Sequence, residues 1–180
     1  LFDTLRAIRE KNEKVIIFTE NRSLQSVLSA LIRKRFNVNV PVVNGSVKVN
    51  SSYDTTVLTR EKIINQFREE PGFAVIILSG LAVGFGVNIQ EANHVIHFTR
   101  MWNPAKEDQA TDRVYRIGQK KPVHVYYPTV CILEDDRYQI HYSFDEVINS
   151  VLNRKRDISH DILTGIGADV TNELISELAI

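Results

Sequence analysis

The sequence predicts an α/β fold, a mainly parallel sheet with helices on both faces. Three features carry that prediction. The apolar segments are short and continuous, as in Val15-Ile16-Ile17-Phe18 and the stretches 73–78 and 94–98. Continuous runs belong to strands buried on both faces, whereas half-exposed strands alternate. Between them lie segments whose apolar residues recur at intervals of three and four, the spacing of one helix face. Turn signals such as Asn44-Gly45 and Pro71-Gly72 separate the two kinds of segment. Strands alternating with helices give a parallel sheet covered on both sides.

Each element has its own justification. Leu1, Leu5 and Ile8 sit at helical spacing, and the polar stretch 9–13 separates them from the first strand. Asn21 or Ser23 caps a helix whose apolar stripe is Leu24, Val27, Leu28, Leu31 and Ile32. A short strand at 39–43 follows, and the Ser- and Thr-rich stretch 47–59 reads as a loop. Ile63, Ile64 and Phe67 mark a helix that Pro71-Gly72 ends. After the strands at 73–78 and 94–98, Asn103-Pro104 starts a helix, with Asn as cap and Pro at its first position. Residues 123–127 read as a further strand.

Beyond residue 128 the pattern changes. Residues 130–133 and 138–142 flank Glu134-Asp135-Asp136-Arg137 and read as a hairpin. Ser143-Phe144-Asp145-Glu146 is a capping box ahead of Val147, Ile148, Val151 and Leu152. Arg154-Lys155-Arg156 is expected near that helix's C-terminus, where cations are favoured. Residues 168–180 read as a short amphipathic helix. The expected division is a lobe at 1–128 and, at 129–180, a hairpin and helical extension packed on it. The chain opens on Leu1, so it is read as a piece of a longer protein.

Composition limits the function classes. Lys+Arg and Asp+Glu are equal at 22 each among 180 residues, so no global field marks a polyanionic partner. Any nucleic-acid surface must be a local patch. The single cysteine, Cys131, excludes an internal disulfide, argues against a Cys-based metal site and suits a reducing compartment. No apolar run approaches the length of a membrane span, and no signal-peptide pattern opens the chain.

Two stretches carry candidate chemistry. Ser79-Gly80-Leu81-Ala82-Val83-Gly84-Phe85-Gly86-Val87-Asn88 follows a strand. Small residues there let the backbone approach a phosphate or ribose. They equally serve a tight strand-to-helix connection, and the pattern alone favours that plainer reading. The second stretch follows Asn103-Pro104. Gln109, Arg113 and Arg116 are four and three apart and would line one helix face, while Ala110, Val114 and Ile117 form the neighbouring stripe. Two guanidiniums would then face the strand ends, with the fixed donors that suit phosphate oxygens. An Asp112–Arg116 surface pair is the alternative, and spacing leaves the two level.

Other residues have structural readings. His94 and His97 lie in a strand, and His141 and His160 lack ligand-like neighbours. The run 130–135 imitates a strand ending in metal-binding acids, but a charged turn explains it and no phosphate-binding Gly-x-x-x-x-Gly-Lys loop accompanies it. Arg33-Lys34-Arg35 reads as a solvated helix end, and Trp102 as a packing residue rather than a base-stacking platform.

Taken together, these segments resemble the second RecA-like lobe of superfamily-two helicases, specifically the Swi/Snf-related ATPases. Gly84-Phe85-Gly86-Val87-Asn88 is similar to the family's fifth motif. Trp102-Asn103-Pro104 with Gln109-Ala110-Thr111-Asp112-Arg113-Val114-Tyr115-Arg116-Ile117-Gly118-Gln119 is similar to its sixth. Residues 14–19 resemble the fourth motif, and Asn44-Gly45-Ser46 ahead of Arg60 and Phe67 resembles the block after it. The resemblance spans roughly residues 1–156.

The resemblance implies a P-loop-NTPase-type lobe of a motor that hydrolyses ATP, with Mg2+ held by a first lobe outside this chain, and that moves on double-stranded DNA. Arg113 and Arg116 would be catalytic, with Arg116 the finger on the transferred phosphoryl group. Gly86 and Asn88 would face the ribose, and Gln109 would link nucleotide to DNA. Thr19, Asn44, Gly45, Ser46, Ser79 and Gly80 would lie toward DNA phosphates. This chain would hold no metal, be monomeric and be inactive alone. The expected compartment is the cytoplasm, nucleoid-associated in a prokaryote, or the nucleus in a eukaryote. Some positions depart from the family pattern: Gly80-Leu81 in place of Thr-Arg, Met101 in place of an acid, Tyr115 in place of His, Glu20 in place of Gln, and a longer 47–59 spacer. They hint at a divergent, prokaryotic branch. The alternatives are a strand-separating DNA or RNA helicase lobe, and a non-catalytic module that binds nucleic acid or a partner protein.

Overall fold

The computed structural model of the chain describes residues 1–47, 59–80, 88–130 and 143–164, the last four of these by backbone alone. In chain order the elements are α1 (Phe2–Glu10), β1 (Lys14–Phe18), α2 (Arg22–Phe36), β2 (Val42–Val43), α3 (Arg60–Glu69), β3 (Ala74–Leu78), β4 (His94–His97), α4 (Pro104–Thr111), β5 (His124–Tyr126) and α5 (Phe144–Thr164). The five strands form one sheet in the order β2-β3-β1-β4-β5, and every pairing is parallel. The expected parallel sheet is therefore present, with β1 at its centre.

The continuous apolar runs are buried on both sides. Val15 and Ile17 of β1 face a core with Leu5 and Ile8 of α1 and Leu28, Ile32 and Phe36 of α2. Ile16 and Phe18 face the opposite core, built from Ile63, Ile64 and Phe67 of α3 with Ala110 and Val114. One strand supplying both cores removes any solvent face, and so any alternation.

Several boundaries depart from expectation. Asn21 is the cap of α2, accepting from the Leu24 amide at 3.0 Å. The buried face of α2 includes Gln25 and Ser29, while Val27 and Leu31 are about half exposed. The reason is hydrogen bonding: the Gln25 amide donates to the Thr19 carbonyl at 2.6 Å, and the Ser29 hydroxyl to the Val40 carbonyl at 2.7 Å. The strand expected at 39–43 shortens to Val42–Val43, because Pro41 has no N–H and joins the sheet only as acceptor from the Ile77 amide. Thr59 caps α3, accepting from the Lys62 amide at 3.3 Å; the rest of the 47–59 spacer, except Val47, lies outside the described residues.

The chain divides into two compact units, 1–100 with 106–128, and 101–105 with 129–180. In the second, Ser143 and Glu146 form the expected capping box: the Glu146 amide donates to Ser143 Oγ at 3.1 Å and the Ser143 amide to Glu146 Oε2 at 2.7 Å. α5 runs on to Thr164, so Arg154-Lys155-Arg156 lies mid-helix and not at its end. Neither Pro nor Gly occurs between Phe144 and Gly165. Leu152 is buried, but Val147 and Val151 are substantially exposed. Trp102 is 68% exposed and does not pack as expected. The hairpin turn, Cys131, His141 and the tail at 168–180 lie outside the described residues. Among the described residues no helix is long and apolar enough to cross a membrane.

Candidate functional site

Two polar groupings stand out in the first unit. One gathers at the carboxyl ends of β1, β2 and β3, where parallel sheets bind ligands. Thr19 follows β1 and accepts the Thr99 hydroxyl at 3.2 Å. Asn44 follows β2; its side-chain amide donates to Gln25 Oε1 at 2.8 Å, and its Oδ1 accepts the Ser46 amide at 3.0 Å. The Ser79 amide donates to the Val43 carbonyl at 3.0 Å. Gly45 and Val47 offer their carbonyls to Arg60, at 3.4 and 2.8 Å. The Gly80 amide donates to Glu20 Oε1. Thr19, Asn44, Gly45, Ser46, Ser79 and Gly80 thus share one corner of the sheet, held by Gln25, Arg60, Thr99 and Glu20, of which Gln25 and Thr99 were not singled out by the sequence.

The second grouping is the arginine turn. α4 begins as expected, with Asn103 Oδ1 accepting the Ala105 amide at 3.0 Å. It ends at Thr111, so Gln109, Arg113 and Arg116 do not share the face of one helix. A longer helix would need residue 117 to bond the Arg113 carbonyl; that carbonyl instead accepts the Ile89 amide at 3.0 Å. The chain tightens into turns, with the Arg113 and Val114 amides reaching the Ala110 and Thr111 carbonyls at 3.3 and 2.9 Å. Val114 is buried as foreseen, but Ile117 is 97% exposed and leaves the expected stripe.

Gln109, Asp112, Arg113, Tyr115 and Arg116 nevertheless line one shallow concavity of about 360 Å3. Arg113 Nε is buried without a hydrogen-bond partner among the described residues. Arg116 is exposed and donates to Asn88 Oδ1, and no Asp112–Arg116 ion pair forms among the described residues. Asn88 is therefore joined directly to Arg116. Gly86 lies outside the described residues.

The last residues of the arginine motif lock this turn. Gly118 has φ +106°, a conformation that favours glycine, and a Cβ there would meet the end of the Gln90 side chain at 2.8 Å. The Gln119 side chain donates to the carbonyls of Gln90 and Ala92 at 2.9 and 2.8 Å, and the Gln90 amide group returns a bond to the Ile117 carbonyl at 2.7 Å. Sequence reading had no means of finding Gln90, which gains meaning only beside Gly118.

A third polar cluster, around β4, is structural. His94 is fully buried; its Nε2 lies 2.7 Å from Glu13 Oε2 and its Nδ1 3.1 Å from the Tyr126 hydroxyl. Burial drives His94 toward its neutral form, so Nε2–H donates to Glu13 and Tyr126 donates to Nδ1. Burial alone would raise the Glu13 pKa, but hydrogen bonds from Asn93, His94 and Lys121 pull it down to about 2. His97 pairs with Thr111 at 2.9 Å and stacks on Phe18 and Tyr127. Among the described residues no group of His, Cys, Asp or Glu is placed to hold a metal ion.

The family model for the helicase conserved C-terminal domain matches residues 1–118. The Zorya protein ZorD of Escherichia coli is 51% identical over 151 residues, 84% of this chain and 13% of that protein. The putative ATP-dependent helicase/translocase YwqA of Bacillus subtilis is 40% identical over 126 residues, 70% of this chain and 13% of that protein. Among solved structures, the SWI2/SNF2 ATPase core of Sulfolobus solfataricus in complex with dsDNA superposes with a TM-score of 0.63 at 32% identity, covering 98% of this chain and 33% of that one. The chain thus spans a small part of the relatives it matches.

Proposed function

Because the chain belongs to the helicase conserved C-terminal domain family, as the C-terminal RecA-like lobe of a Swi/Snf-related superfamily-two helicase, we propose that it completes the ATP site of a motor that moves on double-stranded DNA. The observation that carries this reading is the convergence of Gln109, Arg113 and Arg116 on one concavity, with a buried donor of Arg113 left unpaired among the described residues. Such a cradle fits a polyanion: guanidiniums keep their charge and offer fixed forks of donors. Phosphate oxygens of ATP would take those donors, and Arg116 would stabilise the charge that develops on the transferred phosphoryl group. Asn88, bonded to Arg116, would turn toward the sugar. A first lobe, with its phosphate-binding lysine and Mg2+, would face this turn.

The corner formed by Thr19, Asn44, Gly45, Ser46, Ser79 and Gly80 would follow the backbone of one DNA strand. Hydroxyl, amide and backbone N–H donors of this kind contact phosphates without reading sequence. That a related ATPase core is described in complex with dsDNA supports duplex as the track.

The test is ATP hydrolysis by the full-length protein with and without duplex DNA, wild type beside Arg116→Ala. Stimulation by duplex that the variant loses is the expected result. Equal turnover in the two proteins would overturn the assignment of Arg116, and hydrolysis stimulated only by single strands would favour a strand-separating helicase.

A further inference from the structure

We infer that Arg68, on α3 and outside every motif of the sequence reading, is a positioning residue for Arg116, acting through Asn88; this rests on the role proposed for Arg116. The Arg68 guanidinium donates through one terminal nitrogen to the Asn88 backbone carbonyl, and through the other to Asn65 Oδ1 at 3.0 Å. Its Nε stands 3.6 Å from Glu91 Oε2. The side chain of the same Asn88 accepts from Arg116. One residue is thus held by its backbone from α3 and holds the arginine by its side chain.

The anchor on the other side is equally firm. Lys14, at the start of the central strand, is buried and donates to the carbonyls of Phe67 and Arg68 at 3.0 and 2.5 Å. A continuous path of hydrogen bonds therefore runs from the central strand through α3 to Asn88 and the arginine turn. A cation in the last turn of α3 would favour that helix from any rotamer. The fork on Asn88 and Asn65, with Glu91 at ion-pair distance, is a more specific arrangement than that, and ordering a long arginine side chain to make it has an entropic cost.

The test is a double-mutant cycle on ATP turnover in the full-length protein with saturating duplex, expressed per nucleotide-binding site. Arg68→Gln is expected to lower kcat by about 10- to 100-fold, the loss that follows from a small misplacement of a reacting group, with the KM for ATP little changed. In the Arg116→Ala background the same change is expected to have no further effect. A merely structural arginine would reduce both backgrounds by the same factor, and that result overturns the proposal. Glu91→Gln, which loosens Arg68 from an exposed position, is expected to give a smaller loss of the same kind and covers the case in which Arg68→Gln fails to fold. Wild-type turnover in Glu91→Gln, with Arg68→Gln unfolded, overturns the proposal. If Arg116→Ala itself turns over normally, the role of Arg116 falls and the inference with it. If Arg116→Ala is slow while Arg68→Gln matches wild type, the inference alone falls.

Discussion

Two polar clusters flank the segment that leads into β4, and they are built on opposite plans. Around His94 the donors meet acceptors: Glu13 receives His94 and Lys121, and His94 receives Tyr126. Around Arg116 the guanidiniums crowd together: Arg68 reaches Asn88, Asn65 and Glu91, Arg116 reaches Asn88, and a buried Arg113 nitrogen has no partner among the described residues. Gln119 and Lys121, two residues apart, belong one to each cluster. A buried polar group left unsatisfied costs roughly 1–3 kcal/mol. Such a cost is tolerated where a ligand recovers it, and the closed cluster has no use for one. On this contrast the His94 pairing is a structural strut, and the arginine turn is the side left open to a ligand.

Substitutions on the two sides should therefore separate cleanly. Arg116→Ala is expected to slow ATP turnover of the full-length protein by about 10³-fold or more, the scale of an arginine finger. Its melting temperature should stay near wild type, since the side chain is exposed. His94→Leu should do the reverse, lowering stability by roughly 1–3 kcal/mol because Glu13 and Tyr126 lose a buried partner, with turnover per folded molecule retained. Melting curves and turnover measured on the same preparations decide this. A crossed result, with Arg116→Ala unstable or His94→Leu folded but inactive, would break the distinction.

The same cluster predicts the pH dependence. Burial lowers the His94 pKa below its ordinary 6.5, so below that value the unfolded chain takes up a proton that the folded chain refuses. Glu13 is held at about 2 against an ordinary 4.5, so its contribution is complete above 4.5 and is lost as pH falls toward 2. Both terms make stability decline with acid. Replacing Glu13 by Gln should remove the lower part of that decline, and a melting temperature that still falls steeply between 4.5 and 2 would assign it to other carboxylates.

Gly118 tests the lock between the clusters. Its φ of +106° and the 2.8 Å approach to Gln90 mean that Gly118→Ala should cost about 1–3 kcal/mol and loosen Arg116 at the same time. The loss should appear in turnover before it appears in global unfolding. Unaltered turnover would mean that Asn88 and Arg68 hold the arginine without the glycine.

Sequence carried the architecture well and the site unevenly. The continuous runs at 15–18 and 75–78 could belong only to doubly buried segments, and β1 and β3 are those segments. Arg113, Arg116 and Gln109 were legible because the motif is long, but their shared helix face was not real. Periodicity extends a helix for as long as the spacing permits; it carries no record that Ile89, 24 residues earlier, takes the Arg113 carbonyl. For the same reason Gln25 and Ser29 read as polar interruptions of α2, although both are buried with satisfied partners. Arg68, Gln90 and Glu20 act through contacts between distant parts of the chain, and no local pattern records those.

Glu20 gives the smallest expected effect and the sharpest reading of the DNA-facing corner. Its carboxylate accepts the Gly80 amide, so a negative charge occupies the donor that a DNA phosphate would otherwise meet. If the corner follows a phosphate backbone, that charge opposes binding, and Glu20→Gln should tighten duplex affinity by about two- to fivefold, the range of a surface ion pair. The gain should shrink as salt is raised, because both partners are exposed to solvent. Basal hydrolysis without DNA should not change, since Glu20 acts at the corner through the Gly80 amide. Fluorescence anisotropy with a labelled duplex across a salt series measures both quantities. Weaker binding in Glu20→Gln would mean that the carboxylate's hold on Gly80 shapes the corner for DNA, and that its support outweighs its repulsion.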